Sequence, residues 1–143
     1  MTKINAVIAA AHGEFAKGIY SGIKLVAGPM DNLQIINFLE GDNYDTIDAA
    51  FEKAFEELKD YKNILVLTDL MGGTPFNRAV ILSNERDDIR VLSGLNFALL
   101  YQALISEEED IDLLCEEVLR EGRDSIDYYR VKEKKEISDE DGI

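Results

Sequence analysis

Ile64-Leu65-Val66-Leu67-Thr68 starts with four apolar residues and never alternates with polar ones. A strand of that kind needs cover on both faces, which is the habit of parallel sheets flanked by helices. Ala6 to Ala11 is a second unbroken apolar run, inside a strand read from Ile4 to Ala11. Between the two, Ile47, Ala50, Phe51, Ala54, Phe55 and Leu58 keep the 3.6-residue rhythm of an amphipathic helix. Asp45 and Asp48 stand near that helix's start, where the helix dipole favours negative charge.

The other segments continue the alternation. A helix is read over Glu14 to Val26, with Phe15, Ile19, Ile23 and Val26 as its apolar stripe and Gly28-Pro29 as its stop. Leu33 to Phe38 reads as a strand, followed by a turn over Glu40 to Asn43. After the loop Asp69 to Thr74, Pro75 opens a helix to about Asn84, and Ile89 to Ser93 is a fourth strand. Helices follow over Asn96 to Ile105, with Phe97, Leu100, Tyr101 and Leu104 on one face, and over Ile111 to Glu121, ended by Gly122. Ser125 to Val131 reads as a short fifth strand, and Lys132 to Ile143 as a charged, disordered tail. The expected fold is a doubly wound α/β domain over residues 1–131 with a mostly parallel sheet.

Composition narrows the partners. A chain of 143 residues is the size of one domain. A formal net charge of -14 argues against nucleic acid or an anionic membrane as partner. The single Cys115 can form no disulfide within the chain, and its place on a helix's apolar stripe reads as core packing. One thiol, no signal-peptide core and no stretch near a membrane span point to a reducing, cytosolic setting. The acidic run Glu107 to Asp110 reads as a solvated loop and helix start.

The chemistry converges on two loops. In open α/β sheets the ligand site lies beyond the carboxyl ends of the strands, where the winding reverses. With right-handed crossovers, a common solution puts strands 1 and 3 side by side. That brings His12, the only histidine, beside Asp69. A carboxylate there would fix the imidazole tautomer and leave the other ring nitrogen free as a nucleophile. Gly72 and Gly73 would bend the backbone and expose N–H groups. Thr74 stands where an N-cap should be and Pro75 at the first helical position, aiming a helix N-terminus at the crevice as an anion site. A histidine, its carboxylate and an anion cradle suggest a phosphorylated histidine. Each part also has an inert reading: a structural histidine, a turn-forming aspartate, a tight glycine turn. Other chemistries lack their residues. No Walker lysine follows Gly72-Gly73-Thr74, metal ligands are too few near the loops, and the acidic cluster of a receiver domain is replaced by Ala10-Ala11-His12-Gly13.

Ala11-His12-Gly13, with Ala16 and Gly18 behind it, resembles the active-site loop of the mannose-type IIA component of the bacterial phosphoenolpyruvate-dependent sugar phosphotransferase system. Asp69-Leu70-Met71-Gly72-Gly73-Thr74-Pro75-Phe76-Asn77 resembles that family's second signature, and Ser93-Gly94-Leu95-Asn96 its third stretch. The resemblance covers about residues 3–131. It implies that His12 takes a phosphoryl group from the phosphocarrier HPr and passes it to a IIB component. IIB in turn phosphorylates a sugar entering through membrane IIC and IID partners. It implies that Asp69 holds the ring, that Thr74 contacts the phosphoryl group, and that Gly72 and Gly73 let it approach. It also implies a sheet of order 2-1-3-4 with an antiparallel edge strand, exchanged between subunits of a homodimer; the candidate is Ser125 to Val131. No metal or cofactor is called for. Glu14, Leu70 and Met71 differ from the aromatics of some relatives and bear on partner and sugar specificity. The charged stretch after Val131 resembles a linker to IIB in fused relatives; since the chain stops at Ile143, IIB is expected as a separate protein. Nε2 is the expected phosphorylated nitrogen, because Asp69 should occupy Nδ1. The rival readings are a phosphotransferase subunit of a dihydroxyacetone kinase and a non-enzymatic flavodoxin-like binding module.

Overall fold

Strand β1 (Asn5–His12) and strand β3 (Asn63–Thr68) lie side by side, and nearly every residue in them is buried. The computed structural model describes residues 3–132. Strands β2 (Leu33–Phe38) and β4 (Ile89–Leu92) flank the central pair, giving an all-parallel sheet of order β2-β1-β3-β4. Among the described residues five helices join and cover the strands: α1 (Phe15–Ala27), α2 (Tyr44–Glu57), α3 (Thr74–Ser83), α4 (Phe97–Ile105) and α5 (Ile111–Asp124).

The unalternating strands supply two cores. Val7, Ala9, Ala11, Leu65 and Leu67 point to one face, under α1, α4 and α5, with Ile23, Leu100, Leu114 and Val118. Ala6, Ile8, Ala10, Ile64 and Val66 point to the other, under α2 and α3, with Ile47, Phe51 and Ala79. Side chains alternate across a strand, so an unbroken apolar run feeds both layers at once. The helices begin where the sequence gives them caps. Asn43 and Thr46 form a reciprocal capping box at α2, and Asn96 and Asp110 cap α4 and α5. Arg78 of α3 makes a two-pronged pair with Asp48 of α2 at 2.9 and 2.7 Å, fixing the two helices together.

Four expectations need correction. Phe15 and Val26, at the ends of the α1 stripe, face solvent; Ala16 and Ile23 are the buried residues. The N-cap of α3 is Gly73, not Thr74, because the Gly73 carbonyl already accepts the first helical bond from Asn77 N–H at 2.9 Å. Gly122 lies inside α5, which runs on to Asp124. It is glycine because a methyl there would fall 2.6 Å from Leu99 Cδ1 across the α4–α5 contact. Residues 125–131 form no strand. Two of their donors are used locally: Ile126 N–H bonds Arg123 O, and Tyr128 N–H bonds the Asp127 carboxylate. Of the tail expected from Lys132 onward, residues 133–143 lie outside those described.

Candidate functional site

The winding leaves β1 toward β2 on one side and β3 on the other, so the crevice opens at the carboxyl ends of β1 and β3. His12 is the last residue of β1 and Asp69 the first after β3. One carboxylate oxygen of Asp69, Oδ2, accepts twice from His12: from the backbone N–H at 3.1 Å and from Nδ1 at 2.9 Å. With Nδ1 donating, the Nε2 lone pair is free. The His12 side chain is 44% exposed and that of Asp69 18%, so the imidazole is reachable from solvent while the carboxylate that holds it is largely covered. The second oxygen, Oδ1, is buried with no hydrogen-bond partner among the described residues. A carboxylate so poorly satisfied is costly unless its charge is used, and a cationic ring on His12 would use it.

Phe38 was not foreseen in this role. Its ring meets the imidazole edge to face at 5.9 Å between centroids and 85° between planes. The cue was present in the strand order, since β2 flanks β1 and the register pairs His12 with Phe38 directly. The Gly13 N–H donates to the Phe38 carbonyl at 2.8 Å, tying the turn after His12 to the same strand end. Gly13 takes that turn at φ 59°, which favours glycine.

The second loop is brought to the ring, with its parts used differently than expected. Gly72 has φ 83°, so it is glycine for the backbone. Gly73 abuts His12, but its N–H is spent on the Leu70 carbonyl at 3.0 Å. Asn77 Nδ2 holds the Gly72 carbonyl at 3.0 Å. Among the described residues the Thr74 N–H and hydroxyl and the Phe76 N–H have no intramolecular acceptor, so these are the donors left for an anion. A cavity of about 550 Å³ opens beside His12 and Asp69, lined also by Phe15, Gly94, Leu95, Asn96 and Ile126. Gly72, Gly73 and Thr74 are not in its lining. Phe15, Leu70 and Met71 make an exposed apolar rim.

Among the described residues no three His, Cys, Asp or Glu side chains gather as metal ligands would. No helix described is long and apolar enough to cross a membrane. Cys115 packs against the α1–α4–α5 core, and burial pushes its thiol up to about 11, so it offers no thiolate near neutral pH.

The profile of the family described as "PTS system fructose IIA component" matches residues 6–119. The chain is similar to the mannose-specific EIIAB component of the phosphotransferase system of Escherichia coli, 26% identical over 129 residues. That match takes in 89% of this chain but only 40% of the longer relative. The fold matches that of a phosphotransferase system component EIIA from Streptococcus agalactiae at a TM-score of 0.79 and 40% identity, covering 87% of this chain and 97% of that one. It also matches the mannose/sorbose specific IIA subunit from Enterococcus faecalis at a TM-score of 0.84 and 25% identity, covering 92% and 99%. With a family profile over most of its length and these relatives in sequence and fold, the chain belongs to the mannose-type IIA family of the sugar phosphotransferase system.

Proposed function

We propose that this protein is a phosphoryl carrier in sugar uptake and that His12 Nε2 carries the group. The observation that bears most weight is the bond from His12 Nδ1 to Asp69 at 2.9 Å, on a side chain that is 44% exposed. The Nε2 lone pair attacks phosphorus in line, the P–N bond of the donor phosphohistidine breaks, and its electron pair leaves with the donor ring. His12 keeps its Nδ1 proton and becomes cationic, and Asp69 balances that charge. Catalysis is then mostly positioning and electrostatics. The free N–H groups of Thr74 and Phe76 and the Thr74 hydroxyl are suited to the phosphoryl oxygens, with Gly72 and Gly73 shaping the turn that presents them.

Family membership supports HPr as donor and a IIB component as acceptor, with IIC and IID completing uptake at the membrane. The exposed rim of Phe15, Leu70 and Met71 supports docking of both partners by apolar contact. Residues 125–131 carry uncovered apolar side chains, Ile126 at 76% and Tyr128 at 70% exposure, and among the described residues β4 is an edge strand. These support a homodimer in which this segment pairs with a second copy; sedimentation of the full chain tests it, and a monomer at micromolar concentration would overturn it.

Incubation with phosphoenolpyruvate, enzyme I and HPr tests the carrier role. An acid-labile phosphate is expected on the wild type and not on His12→Ala. A wild type that takes no label would overturn the proposal.

A further inference from the structure

We propose that Gly73 positions the His12 imidazole, and that it is glycine for the space it leaves rather than for its backbone. The inference rests on His12 as the phosphoryl carrier and assigns the neighbouring glycine a different task from anion binding. Gly73 has φ -73° and ψ 166°, an extended conformation that any residue adopts. Its N–H is already bonded to Leu70 O. Neither backbone freedom nor a free donor explains a glycine here. The contact does: a Cβ on Gly73 would stand 2.9 Å from His12 Cε1, 3.2 Å from Leu70 O and 3.5 Å from Leu70 Cβ. Carbon atoms pack best at about 3.5–4.0 Å, so something must move.

Little can move without loss. The ring is held at Nδ1 by Asp69 and flanked by Phe38. The loop is held by three bonds: Gly73 N–H to Leu70 O, Asn77 N–H to Gly73 O, and Asn77 Nδ2 to Gly72 O. Cε1 is bonded to both ring nitrogens. A push at that atom therefore weakens the bond to Asp69 and re-aims Nε2 together. The bare α-carbon of Gly73 is thus the third support of the ring, after Asp69 and Phe38. Gly72 is the internal contrast: a Cβ there meets nothing within 4 Å, but its φ of 83° strains any larger residue.

The single histidine makes the test clean, because every imidazole signal in an NMR spectrum belongs to His12. In the wild type, a nuclear Overhauser contact is expected between the Gly73 α-protons and His12 Hε1; its absence overturns the packing without any variant. In Gly73→Ala, ring-nitrogen shifts are expected to move from a fixed Nδ1–H tautomer toward a mixture, and phosphoryl acceptance from HPr to fall about tenfold or more. Gly73→Val should carry both changes further. A Gly73→Ala protein with wild-type ring shifts overturns the proposal, whether transfer is normal or slowed, since a slow protein with an unmoved ring would place the effect on the phosphoryl group or partner. If the wild type takes no phosphate, the carrier role fails while the ring measurements still decide the positioning.

Discussion

The two ends of the central strand pair each carry a polar pair across β1 and β3, and they are built for opposite ends. At the amino end, Asn5 and Asn63 stand opposite one another in register and are 5% and 4% exposed. Every side-chain amide N–H of the pair is engaged. Asn63 Nδ2 bonds Asn5 Oδ1 and the Glu109 carbonyl, and Asn5 Nδ2 bonds the carbonyls of Ser106 and Glu108. Asn32 adds bonds to the carbonyls of Asn5 and Leu104. At the carboxyl end, His12 and Asp69 share one bond pair and leave Nε2 and Oδ1 unused. Buried and with its donors saturated, a polar pair locks the acidic α4–α5 loop onto the sheet. Half open and with a ring nitrogen unpaired, the same placement has the arrangement that the proposed carrier role requires.

Exchange at the carboxyl end should break function and spare the fold. His12→Ala should abolish phosphoryl acceptance while the protein stays folded and loses no more than about 1 kcal/mol, since the side chain is nearly half exposed and gives up one hydrogen bond; labelling and thermal melts check both. Asp69→Ala should slow transfer roughly 100-fold with the fold retained, because the ring loses its orientation and its counter-charge. Rapid-quench transfer from HPr reads this, and wild-type rates would show that the carboxylate does not act on the ring. The amino end should behave the other way round. Asn63→Ala orphans Asn5 Oδ1 and the Glu109 carbonyl and should cost about 1–3 kcal/mol in denaturant melts, with transfer by the folded protein unchanged. The smallest effect belongs to Thr74→Val, which removes one hydroxyl donor and leaves the free N–H groups; about a tenfold fall in rate is expected, the worth of one charge-assisted hydrogen bond.

The contrast between the ends also explains what could be read from sequence. The strand–helix alternation and a central order with β1 beside β3 were legible because both strands are apolar on both faces, which leaves few folds open, while the places of β2 and β4 came with the family resemblance. That order alone carried Asp69 to His12. Phe38 was reachable by the same logic, one strand to the other side. The amino-end pair was not, since Asn5 and Asn63 each look like an ordinary strand start and carry no chemistry that singles them out. The cap of α3 was misread by one residue because Gly73 and Thr74 both fit the position, and the deciding bond, Asn77 N–H to Gly73 O, depends on the path of the loop. Gly122 was read as a helix stop because glycine often is one; its contact with Leu99 belongs to packing between helices. Residues 125–131 have the apolar content of a strand but pair with no strand among the described residues.

The most direct measurement concerns the ring atom proposed to carry the phosphoryl group. Ring-nitrogen NMR of the protein phosphorylated through HPr should show phosphorus coupled to His12 Nε2, with the proton retained on Nδ1 facing Asp69. Coupling to Nδ1, or a phosphoryl group on any residue other than His12, would contradict the account.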